Sequence, residues 1–330
     1  MTFLTHHRLD IPPFMSYAAA YSLYNYRFSD PSIGTSSYPN LRLIRAFERG
    51  LNPSSSEAGF VLTHVDMVKH SPTLILGTTQ LLSSARAGSR DRSSACSALH
   101  ILLDSMAAIE ASMEAMWTHS HPSDYLSYRT FIFGITNQSM FPSGVVYAGH
   151  NDDQPMSFRG ESGANDSIIP LLDALLEIPM PSNPLTEILK DFRSYRPKPH
   201  REFLAFVREA AREVGVRGFC TEEGQAETTV LYLRLLDTVR SFRWRHWLFA
   251  REYIIRRSKH PTATGGSPIV TWLPNQLFAV MDLMCDVWEG MGVEGQSEAG
   301  KGIEEMMKGV REQREKLDRE VKRWCQERGV

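Results

Sequence analysis

The stretch AETTVLYLRLLDTVRSFRWRHWLFAREYIIRRSKHPTATGGSPIVTW, residues 226–272, decides the fold. Leu231, Leu235, Val239, Phe242 and Phe249 recur near helical spacing. They interleave with Arg234, Arg240, Arg243, Arg245, Arg251, Arg256 and Arg257. The pattern predicts one long helix with a packed side and a basic side. His246 lies in its second half, and the helix is expected to run through Tyr253 toward Pro261, where a glycine loop, ATGGS at 263–267, follows. Two readings of His246 stand side by side. A lone histidine on an apolar helix serves as a paired core residue, since neutral imidazole buries readily. A histidine on a rigid helix beside a flexible polar loop also suits a metal cofactor with a closing lid. The basic side reads either as a solvated face or as a partner for an anionic group.

On the C-terminal side, TWLPNQLFAVMDLMCDVWEGM (271–291) predicts a turn and an apolar helix. Gly302 to Gly329 is a charged amphipathic helix suited to surface docking or an oligomer contact. On the N-terminal side, YRPKPHREFLAFVREAAREVG (195–215) is a proline-stiffened turn and a helix with His200 near its start. DSIIPLLDALLEI (166–178) is an apolar helix whose Asp173 needs a partner if buried. The small-residue loop before it, FRGESGAND (158–166), lets backbone N–H groups approach an anion or a flat cofactor.

Residues 134–162 read mostly as loop, with one extended piece, GVVYAGH (144–150). Ser123 or Asp124 is expected to cap a helix carrying Tyr125, Tyr128, Arg129, Phe131 and Phe133. Arg129 is either an ion-paired structural residue or an anchor for a carboxylate, to which its planar fork is suited. Ser93 or Ser94 should cap the helix whose Leu99, Leu102, Met106, Ile109, Met113 and Met116 keep a core rhythm. Residues 60–82, FVLTHVDMVKHSPTLILGTTQLL, read as one apolar helix that Pro72 kinks, with His64 facing inward. SSSEAG (54–59) supplies its N-cap signal, Asn40 to Arg49 is ambiguous between strand and helix, and Pro12 and Pro13 open a tyrosine-rich helix over 14–28.

The 330 residues suit one large domain or two ordinary ones. Helical periods recur and alternating strand–helix units do not, so the expectation is an all-α bundle of nine or ten helices. It reads as a single domain over 1–330, with 1–10 as a tail and 292–330 as the C-terminal amphipathic segment. A net charge of −2 argues against a nucleic-acid partner. Cys96, Cys220, Cys285 and Cys325 are scattered, as reduced thiols are. No apolar run approaches the roughly 20 residues of a membrane span and no targeting pattern opens the chain, so the expected location is cytoplasmic. G-x-S-x-G and HExxH are absent. His119 with His121, or His150 with Asp152 and Asp153, lie in loops without a second anchored cluster, which makes them poor metal sites.

The long-range pattern is more specific. LDIPPFMSYAAAYSLYNY, EAGFVLTHVDMV, YRTFIFG with GVVYAGH, FRGESGANDSIIPLLDALLEI, SYRPKPHREFL, VRSFRWRHWLFAREYI and ATGGSPIVTWLPNQL follow one another from Leu9 to about Met281. In order and interval they resemble the indoleamine 2,3-dioxygenase family, and the last segment looks particularly like fungal members. The resemblance implies an all-helical heme domain, the large domain of that family, with heme b as cofactor. It implies cleavage of the indole C2–C3 bond of L-tryptophan or a related indole by O2, giving N-formylkynurenine at the head of the kynurenine route. Its partners would be that indole, O2 and an electron donor for the iron. His246 matches the proximal iron ligand, Asp173 the acid behind it, and Arg243 the arginine that pairs with that acid. Arg129 matches the substrate-carboxylate anchor. Thr264, Gly265 and Gly266 match the mobile loop, Ser162 and Gly163 the loop beside the heme edge, and Tyr17, Phe60 and Tyr125 the distal walls. The basic side of the long helix would then suit heme propionates.

Three departures bear on the reading. His64 stands where many members carry serine, similar to the distal histidine of tryptophan 2,3-dioxygenase. Either it accepts the indole N–H, a catalytic role, or it merely bonds a backbone carbonyl. Asp124 replaces an expected aromatic. Family members carry a helical domain of roughly one hundred residues ahead of the LPP-like motif, an ordinary domain size, whereas LDIPP stands near the start here. These departures keep two rivals open: a heme monooxygenase acting on another indole, and a heme-binding remnant without turnover.

Overall fold

The computed structural model describes residues 18–160, 166–180, 191–258, 269–291 and 298–329. Its helices are α1 (Ser56–Val68), α2 (Ser71–Ala87), α3 (Arg92–Glu114), the short α4 (Met116–His119), α5 (Tyr125–Ile132), α6 (Ile168–Leu175), α7 (Lys198–Val214), α8 (Val216–Cys220), α9 (Ala226–Phe249), α10 (Ile269–Gly290) and α11 (Glu298–Arg328). Among the described residues the strands are β1 (Tyr26–Phe28) and β2 (Leu41–Leu43), an antiparallel ribbon that pairs Tyr26 with Leu43 and Phe28 with Leu41. The fold is all-α. No described helix is long and apolar enough to cross a membrane.

The core follows the helical periods. Leu99, Leu102, Met106 and Ile109 of α3 are fully buried, and α3 packs on α1, α2 and α9. Leu231, Leu235 and Val239 give α9 its buried face, and α10 and α11 close over it. Truncating any one of these side chains to alanine would cost roughly 2–5 kcal/mol.

The local expectations at four places give way to tertiary contacts. Pro72 does not kink one helix. It stands in the first turn of α2, separate from α1, because a residue without an N–H fits only where that group has no helical partner. The tyrosine-rich helix is, in its described part, a π-helical turn at Ala18–Leu23 that gives way to β1. Asn25 explains the change: its side-chain amide both donates to Arg45 O (3.0 Å) and accepts from Arg45 N (2.9 Å), drawing the chain into the ribbon. The ambiguous segment from Asn40 accordingly begins as β2. Neither Ser93 nor Ser94 caps α3, which starts at Arg92, whose guanidinium is held by Phe219 O and Glu222. In the extended piece 144–150, Val145 bridges to Met156.

The basic side of α9 is not a bare solvated face. Arg240 pairs with Asp237 (2.7 Å), Arg243 with Asp173 (2.7 Å), and Arg245 with Glu110 (2.9 Å) and Glu114 (2.8 Å). These arginines are spent on carboxylates of α9 itself, α6 and α3 rather than held out for an anion. Beyond Phe249 the helix widens into a π turn, Ala250–Ile255, marked by the i→i−5 bond from Arg256 N to Arg251 O (3.0 Å). It then ends in a turn at Arg256 and Arg257, short of Pro261.

α1 is fastened at its N-terminus. Ser55 caps it by accepting from Ala58 N (3.1 Å), and the buried Glu57 carboxylate accepts N–H groups from Phe47, Glu48 and Arg49. Gly59 lies so close to the end of α4 that a Cβ there would sit 1.8 Å from the His119 carbonyl oxygen. The obstacle is backbone, which cannot swing aside. Gly59→Ala is therefore expected to destabilise the protein by about 3 kcal/mol, read as a lower urea midpoint. A change of only a few tenths would mean that α1 can shift without loss.

Candidate functional site

Fixing α1 against the 119–124 segment sets two of its side chains. Ser56 Oγ donates to Asp124 Oδ2 (2.6 Å) and accepts from His121 N (3.1 Å), adding to the Gly59 contact. Asp124 is therefore a fastener of α1, and this bond holds its pKa below the ordinary aspartate value.

Phe60 and His64, one turn apart on α1, then meet an aromatic cluster. The Phe60 ring lies 4.9 Å from that of His64, 5.3 Å from Tyr125 and 5.9 Å from Tyr128. Tyr125 in turn reaches Tyr253 of the π turn (5.6 Å), and Tyr253 packs with Trp117 (5.6 Å) and Phe249 (5.8 Å). Hydrogen bonds stitch the same group: Tyr253 OH donates to Ser120 O, and Ser120 Oγ lies 3.2 Å from Tyr128 OH.

Two imidazoles belong to this region, His64 against Phe60 and His246 within electrostatic reach of His64. His64 Nδ1 lies 2.7 Å from Phe60 O. A carbonyl only accepts, so Nδ1 carries the proton and Nε2 is left as the acceptor nitrogen of the neutral ring. Burial lowers the His64 pKa to about 4; the bond to Phe60 opposes that shift, and the charge of His246 adds to it. Burial alone lowers His246 to about 4. The two rings are thus near enough to sense each other, and both are neutral at pH 7. Among the described residues, the His246 ring makes no hydrogen bond. It is half-buried, and a neutral imidazole nitrogen without a protein partner can serve as a ligand.

Behind His246, one turn back on α9, Arg243 forms a fork with Asp173 of α6 (2.7 and 2.8 Å) and donates to Gln276 O of α10 (3.0 Å). Burial raises the Asp173 pKa, and the Arg243 charge is the largest influence opposing it. Among the described residues no hydrogen bond joins Asp173 to His246, so the pair sets the ring through the helices. On the other side of α6, about 310 Å³ of cavity lies between Ile168, Leu171, Leu74, Phe203 and His200, turned away from Asp173.

Arg129 of α5 is almost fully buried, with its guanidinium 4.5 Å from the centre of the Phe133 ring. Burial lowers its pKa, the nearby Tyr125 opposes that, and Arg328 reinforces it. Tyr17, Ser162, Gly163, Thr264, Gly265 and Gly266 lie outside the described residues. So the structure gathers Phe60, His64 and Tyr125 in one wall, joins Asp173 to Arg243 one turn before His246 on α9, and sets Arg129 directly after Tyr128 on α5. Sequence reasoning missed the Ser120–Tyr128–Tyr253 stitching and Gly59. A glycine inside an otherwise apolar helical run was the available signal for the latter.

His119 and Asp153, both read as belonging to loops, have other partners, and His119 in fact ends α4. His119 stacks on Tyr38 (4.0 Å), and Asp153 accepts from Gly149 N (2.8 Å). Among the described residues, no three His, Cys, Asp or Glu side chains gather to hold a bare ion. One imidazole suits an iron whose equatorial nitrogens come with a porphyrin.

The chain is 28% identical to indoleamine 2,3-dioxygenase 1 of Mus musculus over 261 residues, 78% of this chain and 61% of that protein. It is 24% identical to indoleamine 2,3-dioxygenase of Saccharomyces cerevisiae over 282 residues, 81% and 60% of the two chains. It is 30% identical to a 6-hydroxytryptophan 2,3-dioxygenase of Fusarium equiseti over 158 residues, 47% and 38%. The chain thus spans about three-fifths of the length of the first two relatives. The family model for indoleamine 2,3-dioxygenase matches residues 3–316. Nearly the whole sequence is covered, and the chain belongs to the indoleamine 2,3-dioxygenase family.

Proposed function

We propose that this chain binds heme b at His246 and acts, with O2 and a reductant, as a dioxygenase on L-tryptophan or a closely related indole. The observation that carries the reading is the His246 ring: half-buried, held neutral, without a hydrogen-bond partner among the described residues, and close enough to His64 to act on it electrostatically. Bound there, heme would supply the O2 activation that opens the indole C2–C3 bond to give N-formylkynurenine.

The chain's own part is orientation and exclusion of water. Neutral His246 offers one nitrogen as ligand. The Arg243–Asp173 fork fixes its helix against α6 and α10, so that the ring keeps one orientation. Phe60 and Tyr125 form an apolar wall for a flat ring. His64 Nε2, left as acceptor by the Nδ1 bond to Phe60 O, accepts the indole N–H. Both readings of His64 are thereby reconciled, since the carbonyl bond sets the tautomer that makes the other nitrogen useful. Arg129 holds the substrate carboxylate. The 6-hydroxytryptophan enzyme among the relatives supports a ring-substituted indole as second substrate.

His246→Ala is expected to abolish retention of added hemin, seen as loss of the Soret band after gel filtration. Wild-type heme content in that variant would put the ligand elsewhere. His64→Ala should raise the KM of tryptophan about tenfold, the loss of roughly one good hydrogen bond, and leave that of 1-methyltryptophan nearly unchanged. An unaltered KM ratio would remove His64 from substrate selection. A lowered His64 pKa keeps the ring neutral above about pH 4. Tryptophan affinity, read by spectral titration, should therefore stay flat from pH 8 to 5.5 and fail only as pH drops toward 4. A break near pH 6.5 would mean that His64 titrates like an exposed imidazole.

A further inference from the structure

The family match ends at residue 316, yet α11 runs on to Arg328, and the last part of α11 is where the helix grips the segment behind His246. Trp247, the neighbour of His246, is completely buried, and its indole N–H donates to Glu320 Oε2 (2.9 Å). The other oxygen of the same carboxylate receives Arg251 Nη1 (2.9 Å). Trp247 and Arg251 are four residues apart and straddle the point where α9 becomes the π turn. Glu320 is only 13% exposed at its side chain, and Arg251 17%. Eight residues on, Arg328 donates to Ile255 O (2.8 Å) and Ser258 O (2.6 Å), two carbonyls at the end of the π turn.

We propose that α11 is a brace for the candidate heme ligand and that Glu320 is its positioning residue. This rests on the reading of His246 given above and adds to it a contact beyond the family match. The physical argument starts from the π turn. Its widened ring is less favourable than α geometry, so a helix keeps one only where outside contacts hold it. Glu320 ties the last α-helical turn to the first π residues, and Arg328 takes up carbonyls the turn leaves open. Without the carboxylate, a fully buried indole N–H loses its partner and Arg251 loses one of its two carboxylates, the other being Glu252 (3.0 Å). The turn that carries His246 would then drift, because its rotation is set at Trp247 on one side and Arg243 on the other.

The test uses the full chain with two readouts. Hydrogen exchange of the apoprotein reports the backbone of residues 247–256, and resonance Raman of the reduced, hemin-loaded protein reports the iron–histidine stretch. Glu320→Ala is expected to speed exchange of that segment at least tenfold, with α2 and α3 unchanged, and to shift or broaden the stretch. Glu320→Gln, whose amide oxygen still accepts from Trp247, should recover most of the protection. Asp318→Ala, which removes only an exposed pair with Lys322 (2.7 Å), should alter neither readout. Wild-type exchange and an unshifted band in Glu320→Ala would overturn the brace, as would exchange that rises equally across all helices. If His246→Ala keeps its heme while the exchange result holds, the reading of His246 fails and the brace of α9 stands by itself.

Discussion

Everything around the site hangs on the buried fork between Arg243 and Asp173. It is one ion pair joining three helices: Arg243 on α9, Asp173 on α6, and the Gln276 carbonyl on α10. A carboxylate in that position is pushed toward protonation by burial, and the arginine restrains it. Removing either partner leaves a buried charge unpaired, a cost of roughly 3–5 kcal/mol. The pair therefore contributes little that a hydrophobic replacement would not, but it tolerates only one relative placement of three helices. That placement decides where His246 looks.

The opposite wall is fixed by different means. Close backbone approach at Gly59 and the Ser56–Asp124 bond hold α1 against the 119–124 segment, while the Glu57 carboxylate ties its start to residues 47–49. The site thus lies between a wall located by backbone contact and one located by charge. His64 and His246, one from each, are both kept neutral by desolvation.

Much of this was legible beforehand, for identifiable reasons. The helical period of Leu231, Leu235 and Val239 and the Met–Leu stripe of α3 are local patterns that burial enforces, and both are buried as read. The order of seven short segments pointed to the family, which the match over residues 3–316 establishes. Local signals failed where long-range partners intervened. Asn25 turned a helix into a ribbon by bonding Arg45, and the arginines of α9 found carboxylates on α3 and α6. Pro72 was read as a kink because its period continues on both sides, yet a missing N–H favours a fresh start. Glu320 left no trace in sequence, being one glutamate among many on a charged helix.

The π turn after His246 has a geometric consequence. Seven residues make nearly two turns of α-helix, so an unbroken helix would bring Tyr253 back onto the face of His246. The wider turn leaves it behind by roughly a quarter revolution, beside Ser120 and Tyr125. A bulky phenol that regular geometry would aim over the imidazole is thus parked at the side.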